Sequence, residues 1–436
     1  MAAQTTATDS RSWLLTRRWL LVASAMLFLW IIAQIDKTNV SLIIADSAFL
    51  KELNLVGHHA ELGGLMSAFF MGYGFSLFAW GFLVDRFGAR NCAIAGSIAW
   101  GALVFVSSRI TTINEFLIVR FLLGAAEGNL WPVCNALTNR WFPAREHGRV
   151  QSFWVSGSTL GTAVGVPLMS GLMLASNWRG ALTFLSVVSL LPVLVFVFIG
   201  NRPAAAGANA ADNSEHAGTG EFGDRKGLRD LSRSAPFWLV TASQFVSCTT
   251  IYTLIQWIPS YLTASRHLSF KAMGAWITLG YVLATLLTLL AGYIADRTMQ
   301  RSLTGVAVCL AFAILVMPAL ALSPEGSAVA LSALIAVAGA TGALNGALAH
   351  AMVRQDVIAR ATGIYTGIGN VISAVGPVTF GALISALGGR YWGGFLFVAL
   401  LNAAGAVIYF ALYRQSKMKR VTVAEPLPRE VKFVLR

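Results

Sequence analysis

Twelve long apolar runs, separated by short breaks, follow one another along this 436-residue chain and leave few ways to fold it. They fall at roughly 19–43, 60–84, 92–108, 112–138, 150–175, 180–200, 236–264, 271–295, 303–322, 327–350, 361–388 and 392–413. About 20 mostly apolar residues are needed for a helix to cross the hydrocarbon core, where backbone polar groups must be satisfied within the segment. Barrel strands would instead alternate apolar and polar residues over about ten positions. Charged residues make up only 12% of the chain, against roughly 25% in soluble domains. The expected fold is all-α and integral to the membrane, with twelve transmembrane helices in two pseudo-symmetric six-helix bundles.

The formal net charge of +13 is a topology signal rather than a nucleic-acid footprint. With both termini in the cytoplasm, 24 of the 32 Lys and Arg residues fall in cytoplasmic segments and 6 in outer loops, the bias of the positive-inside rule. The basic tail, with Arg414, Lys417, Lys419 and Arg420, is expected against anionic lipid. No nucleic-acid partner is expected. Cys92, Cys134, Cys248 and Cys309 are scattered through apolar runs without metal-ligand spacing and read as packing residues. The first run is too long for a cleavable signal peptide and contains Asp36.

One break is long. Residues 201–235 are rich in Ala, Gly, Asn, Asp and Ser, the composition of a solvated linker. The expected organisation is a cytoplasmic N-terminus (1–18), an N-terminal bundle (19–200), this linker, a C-terminal bundle (236–413) and a basic cytoplasmic tail (414–436). The halves repeat each other. Gly81-Phe82-Leu83-Val84-Asp85-Arg86 closes the second run, and Gly292-Tyr293-Ile294-Ala295-Asp296-Arg297 closes the eighth, 211 residues later. Pro167, after Thr162-Ala163-Val164-Gly165-Val166, and Pro377, after Ser373-Ala374-Val375-Gly376, lie 210 apart. Repeated halves around a midplane site are the architecture of secondary transporters.

Charges inside the runs carry the functional reading. Asp36-Lys37-Thr38-Asn39 ends the first run, and Arg120 and Glu127 lie seven apart in the fourth. That spacing puts Arg120 and Glu127 on one helix face, about 10 Å apart along the axis. The face must line a cavity, because charge facing lipid is costly. Burial favours the protonated form of a carboxylate and a neighbouring cation favours the ionised form, so a group held between them can exchange a proton near neutral pH. Asp36 and Glu127 are therefore the proton-coupling candidates, with the proton as coupling ion and no cofactor. The same residues also fit a fixed ion pair, Arg120 with Asp36 or Glu127, that only ties helices together. Lys37, Asn39 and Arg120 are candidates for meeting an anion. From the second half, Tyr252, Gln256, Trp257, Asn345, Tyr365 and Asn370 are candidates for reading substrate shape; each also fits helix packing.

Other features bear on movement. Gly157, Gly161 and Gly165 form a smooth stripe on the fifth run, read as a surface sliding between the halves or as tight static packing. Asp85 can face the positive end of a neighbouring helix, and Arg86 and Arg90 can pair with nearby acids. With Asp296 and Arg297 in the second copy, they are gating candidates, a merely topological role being the alternative.

The loop Gly81-xxx-Asp85-Arg86-Phe87-Gly88-x-Arg90 and its weaker copy make the chain resemble the major facilitator superfamily over all twelve runs. The copy is degraded, with Thr298 and Met299 in place of Phe87 and Gly88. Three stretches give a narrower resemblance to the anion:cation symporter family: Gln34-Ile35-Asp36-Lys37-Thr38-Asn39; Arg120-Phe121-Leu122-Leu123-Gly124-Ala125-Ala126-Glu127-Gly128 with Trp131-Pro132; and Asn139-Arg140-Trp141-Phe142-Pro143-Ala144-Arg145-Glu146-His147-Gly148-Arg149. That family includes bacterial galactonate, glucarate and hexuronate carriers. The resemblance implies proton coupling at Asp36 and Glu127, a cytoplasmic gate at the Asp85 loop, and a carboxylate contact at Lys37. The family usually has arginine at that last position. A lysine offers a point charge where arginine offers a planar fork, which puts the sugar-acid specificity in question.

The expected function is proton-coupled uptake of a small organic anion, a sugar acid or an aromatic or hydroxylated carboxylate, by a monomer in the bacterial inner membrane. The short first outer loop supports the bacterial location by analogy. The alternative is organophosphate:phosphate exchange, faintly suggested by Trp131-Pro132-x-Cys134. It is disfavoured because no arginine lies inside a second-half run. A non-transporting sensor would need a signalling domain, and neither linker nor tail offers one. No nucleophile, metal cluster or nucleotide loop points to an enzyme.

Overall fold

The computed structural model describes residues 18–143, 146–199, 233–283, 300–352 and 358–423. Its elements are helices, and the described residues contain no strand. The N-terminal bundle comprises α1 (Arg18–Ile43), α2 (His59–Phe87), α3 (Ala89–Ser107), α4 (Ile113–Trp141), α5 (Arg149–Ala175) and α6 (Trp178–Phe198). The C-terminal bundle comprises α7 (Ala235–Ser265), α8 (Phe270–Leu283), α9 (Arg301–Ala319), α10 (Pro324–Met352), α11 (Ile358–Ser373 with Val375–Ala386) and α12 (Trp392–Val423). Ten helices of the described residues are long and apolar enough to cross a bilayer, and α2, bent by 48° between Leu77 and Ala79, makes eleven. The eighth expected run is described only as far as Leu283, so Asp296 and Arg297 lie outside the described residues. The outward faces carry large exposed apolar side chains such as Phe82, Ile118, Val187, Ile314 and Val407, as lipid contact requires.

Sequence sets where the helices start and pause. Thr112 and Glu115 form a reciprocal capping box at the start of α4, satisfying two amide groups that the first turn leaves free. Asn177 caps α6 by accepting from Gly180 N–H at 2.7 Å. Pauses interrupt α4 at Gly128-Asn129, α5 at Ser156 and α6 at Ser189-Leu190. Pro192 opens the segment after the α6 pause, where its missing N–H does least harm. The four cysteines are buried and free.

Two expectations change. α12 runs to Val423 rather than stopping near 413, so Arg414, Lys417, Lys419 and Arg420 sit on a helical extension. Lys and Arg are good helix formers, and cations suit a helix C-terminus. The glycine stripe faces α1, not the other half. A methyl group at Gly157 would come within 2.7 Å of the Leu27 carbonyl oxygen, one at Gly161 within 2.6 Å of that of Ile31, and one at Gly165 within 2.9 Å of Ile35 Cγ1. The stripe is thus close packing within one bundle, and it fixes the stretch of α1 that leads into Asp36.

We call the face at which α6 ends and α7 begins the proximal face and the opposite one the distal face. Contacts joining the bundles gather in their distal and middle parts. Gln256 Nε2 donates to the Leu62 carbonyl at 3.0 Å, and the Ser67 hydroxyl donates to the Ala374 carbonyl. Gly63 lies against the Pro377 carbonyl and Gly381 against that of His59. The His59 ring meets Trp257 and Tyr391, each at 6.1 Å between centroids. The distal halves of α2, α7 and α11 therefore form a closed seam. Beside it, Glu52 on the short distal helix Ser47–Glu52 accepts from Trp178 Nε1 at 2.8 Å and Arg179 Nε at 2.9 Å. Burial pulls the Glu52 carboxyl upward, but these bonds outweigh it and hold it below the usual carboxylate range.

Candidate functional site

Four charged side chains come together inside the N-terminal bundle. Close packing against α5 fixes α1, so Asp36 and Lys37 leave it in directions about 100° apart and reach different helices. Asp36 is fully buried. Its Oδ2 accepts from Ser189 Oγ on α6 at 2.6 Å, and its Oδ1 accepts from Asn39 Nδ2 at 3.4 Å. Lys37 turns towards α4, where its Nζ lies 3.5 Å from Glu127 Oε2. Three rings surround that ammonium, Tyr73 at 4.8 Å, Trp30 at 5.5 Å and Phe69 at 5.9 Å, a setting in which ring quadrupoles attract a desolvated cation.

Arg120 is placed by the contact of α2 with α4. Gly72 lies against the Phe121 carbonyl and Gly124 against that of Phe69, so the two backbones touch. The guanidinium consequently sits 4.7 Å from the centre of the Phe69 ring. Its Nε donates to the Leu65 carbonyl at 3.5 Å, and a terminal nitrogen lies 4.0 Å from Met66 Sδ. Among the described residues no carboxylate lies within ion-pair distance of Arg120; the pair in this cluster is Lys37–Glu127. The fixed pair of Arg120 with Asp36 or Glu127 is thus replaced by one that uses lysine. Glu127 ends the first segment of α4. It is fully buried and neither of its oxygens receives a hydrogen bond. A buried carboxylate in that state is expensive unless its cation stays or a proton arrives.

The second-half candidates separate into three places. Tyr252 stacks on Phe70 across the bundles, with centroids 3.6 Å apart and planes at 16°, and its hydroxyl donates to Asn370 Oδ1. Asn370 Nδ2 donates to the Thr366 carbonyl at 2.9 Å. Phe70 in turn meets Phe69 of the charged cluster, with ring centroids 5.3 Å apart. Gln256 and Trp257 sit in the distal seam, where Trp257 Nε1 donates to the Pro377 carbonyl at 2.9 Å and Gln256 Oε1 is buried without a partner. Asn345 lies inside the C-terminal bundle. Its Oδ1 accepts from Ser243 at 2.8 Å and Tyr409 at 2.6 Å, while its Nδ2 donates to Gln244 at 2.9 Å and Ser247 at 3.0 Å. Tyr365 packs into an apolar cluster with Phe237, Val240 and Leu348.

At the proximal face Arg90 meets no acid among the described residues. Its guanidinium donates to the carbonyls of Phe196 at 3.0 Å and Val197 at 2.8 Å, satisfying the C-terminal end of α6 within its own bundle. Asp85 and Arg86 are exposed, and neither forms an ion pair among the described residues. Sequence reasoning missed the ring cage of Trp30, Phe69 and Tyr73. Its signal was the helical spacing of Phe69 and Tyr73, which reads equally as core. It also missed Ser189, which nothing in its apolar stretch distinguishes from Ser186.

With this geometry in view, comparisons with known proteins agree on the family. Residues 24–357 match the Major Facilitator Superfamily model. The probable L-galactonate transporter of Escherichia coli (strain K12) is 23% identical, with 90% of this chain and 89% of that protein covered. The hexuronate transporter of Bacillus subtilis (strain 168) is 23% identical, with 92% of this chain and 95% of that protein covered. Among solved structures, a bacterial homolog of the human lysosomal transporter Spinster, inward-facing and unoccupied, shares the fold with a TM-score of 0.72 at 14% identity. The match covers 90% of this chain and 96% of that one. The chain is a member of the major facilitator superfamily.

Proposed function

We propose that this protein imports a small organic anion together with protons, by alternating access across a bacterial inner membrane with both termini in the cytoplasm. The observation that carries the reading is the Lys37–Glu127 pair, 3.5 Å apart and buried, with no hydrogen bond to the carboxylate. A proton on Glu127 dissolves the pair and releases the ammonium, which then meets the carboxylate of a substrate. Arg120, lacking a carboxylate of its own, supplies a second cation. Anion and proton therefore bind together because they compete for nothing: the proton takes Glu127 and the anion takes Lys37. On the cytoplasmic side, lower proton activity empties Glu127, which recaptures Lys37 and expels the anion. Asp36 is the second proton site. Two protons with one monoanion would let the membrane potential contribute about 2.3 kcal/mol per 100 mV.

In this reading the distal face is the outside, and the closed seam of α2, α7 and α11 is the shut outer gate. Tyr252, Asn370 and Asn39 flank the substrate, while Asn345 and Tyr365 serve the scaffold. Gating at the cytoplasmic side rests with Asp85, Arg86 and the second-copy residues Asp296 and Arg297, with Arg90 anchoring the loop. The curated relatives named for L-galactonate and hexuronate support a carboxylate substrate. The test is uptake into proteoliposomes under an imposed pH gradient, with sugar acids, aromatic carboxylates and sugar phosphates in turn. Accumulation of a carboxylate that a protonophore abolishes is expected. Exchange of a phosphate ester that ignores the gradient would overturn the reading.

A further inference from the structure

The two buried acids are held in different ways. Glu127 has an ammonium nearby and no hydrogen bond, whereas Asp36 has a hydroxyl. Ser189 occupies the pause in α6, after Trp178–Val188 and before Leu191–Phe198, and is fully buried. Its Oγ lies 2.6 Å from Asp36 Oδ2 and 2.8 Å from the Leu185 carbonyl oxygen. A hydroxyl carries one proton and two lone pairs, so it donates to one of these acceptors at a time.

Both protonation states of Asp36 are then accommodated. When the carboxylate is ionised, the Ser189 hydroxyl donates to Oδ2, and Leu185 keeps the backbone N–H of Ser189 at 2.8 Å. When Asp36 carries a proton, that proton is donated to Ser189 Oγ and the hydroxyl turns to the Leu185 carbonyl. Neither state leaves the carboxyl or the hydroxyl unpaired, as burial requires. Asn39 has only an amide N–H to offer Oδ1, and the Trp100 indole on α3 is likewise a donor only, so neither can switch in this way.

We propose that Ser189 is the positioning residue for the Asp36 proton, its hydroxyl alternating between donor to the carboxylate and acceptor from the acid as the proton comes and goes. This rests on the reading of Asp36 as a proton site. The charged groups around Asp36 are Lys37 on its own helix and Arg120 and Glu127 on α4. The ionisable residues of α3 and α6 lie at the helix ends, Arg90 on the carbonyls of Phe196 and Val197 and Arg179 on Glu52. On the face towards α6, Ser189 is thus the hydrogen-bonding partner that can follow the proton.

The test is infrared titration of the purified protein in nanodiscs without substrate, reading the carbonyl stretch of the protonated carboxyl assigned to Asp36 by its loss in Asp36→Asn. Ser189→Ala removes a partner from both forms, but a hydrogen bond to the charged carboxylate is stronger than one from the neutral acid, so the midpoint of that band is expected to move to higher pH by about one unit. It should also raise the band's frequency, because the acid loses its acceptor. Ser189→Thr, which keeps the hydroxyl, should restore both, and unchanged thermal melting of the variants separates this from misfolding. A band that titrates in the wild type and does not move in Ser189→Ala overturns the role of Ser189 and leaves proton coupling intact. Absence of any titrating band sensitive to Asp36→Asn removes Asp36 from coupling, and the inference with it.

Discussion

The two bundles bury polar groups in opposite ways. In the C-terminal bundle Asn345 collects Ser243, Gln244, Ser247 and Tyr409 into a neutral network in which its oxygen accepts twice and its nitrogen donates twice. In the N-terminal bundle two acids and two cations are gathered in one buried cluster, and one of them, Glu127, takes no hydrogen bond from protein. A saturated neutral network holds one arrangement. A charged cluster with missing partners is stable only while its charges stay matched, so adding a proton or an anion rearranges it. In the proposed mechanism the difference gives scaffold to one half and coupling to the other, although both halves carry the same repeated motifs.

Breaking the charged side should have the largest effect. Lys37→Ala removes a charge-assisted contact worth about 1.5–3 kcal/mol, so substrate affinity should fall roughly 10- to 100-fold in equilibrium binding. It also strands Glu127, a loss of about 3–5 kcal/mol where a buried pair is broken. The double variant Lys37→Ala with Glu127→Gln should therefore regain thermal stability without regaining transport. Retained affinity in Lys37→Ala would remove that residue from the site. Lys37→Arg should keep transport at a reduced rate, since the charge persists while the rings of Trp30, Phe69 and Tyr73 must admit a wider, planar group; uptake indistinguishable from Lys37→Ala would contradict this.

Breaking the neutral side should cost stability instead. Asn345→Ala removes four hydrogen bonds, although Ser243, Ser247 and Tyr409 keep backbone acceptors, and should lower the melting temperature by roughly several degrees, while the dependence of uptake on the pH gradient stays as in the wild type. A changed coupling ratio there would erase the contrast between the halves. The smallest effect is expected at Glu52. Its carboxyl is held below the ordinary value of 4.5, so the stability it adds is present above that value and is lost as pH falls through the lower, folded one. Glu52→Gln should lower the melting temperature slightly at neutral pH, leave it unchanged in acid below the folded value, and so flatten the acid limb of the profile. An acid limb as steep as that of the wild type would contradict it.

Much of this arrangement is legible in the sequence, because lipid imposes simple rules. Apolar length gives the helices, and charges in apolar runs mark Asp36, Lys37, Arg120 and Glu127. Partner choice is not legible. Seven-residue spacing puts Arg120 and Glu127 on one face, yet the contact of α2 with α4 draws Arg120 over Phe69, and Lys37 reaches Glu127 instead. The glycine stripe of α5 announces close approach without saying to what, and it meets α1. Asn345 and Asn370 look alike as buried amides; one is saturated inside its bundle and the other bonds Tyr252 at the interface. Ser189 matters through a pause in α6 that brings it to Asp36, a tertiary fact with no local pattern.

In the proposed mechanism a proton on Glu127 frees Lys37 for the anion. Glu127→Gln tests it most directly, in proteoliposomes that report accumulation driven by a pH gradient and exchange without one. The account predicts that accumulation disappears while exchange of internal for external substrate continues, since glutamine mimics the protonated acid and leaves Lys37 free. Accumulation persisting in Glu127→Gln, at the wild-type dependence on the gradient, would contradict it.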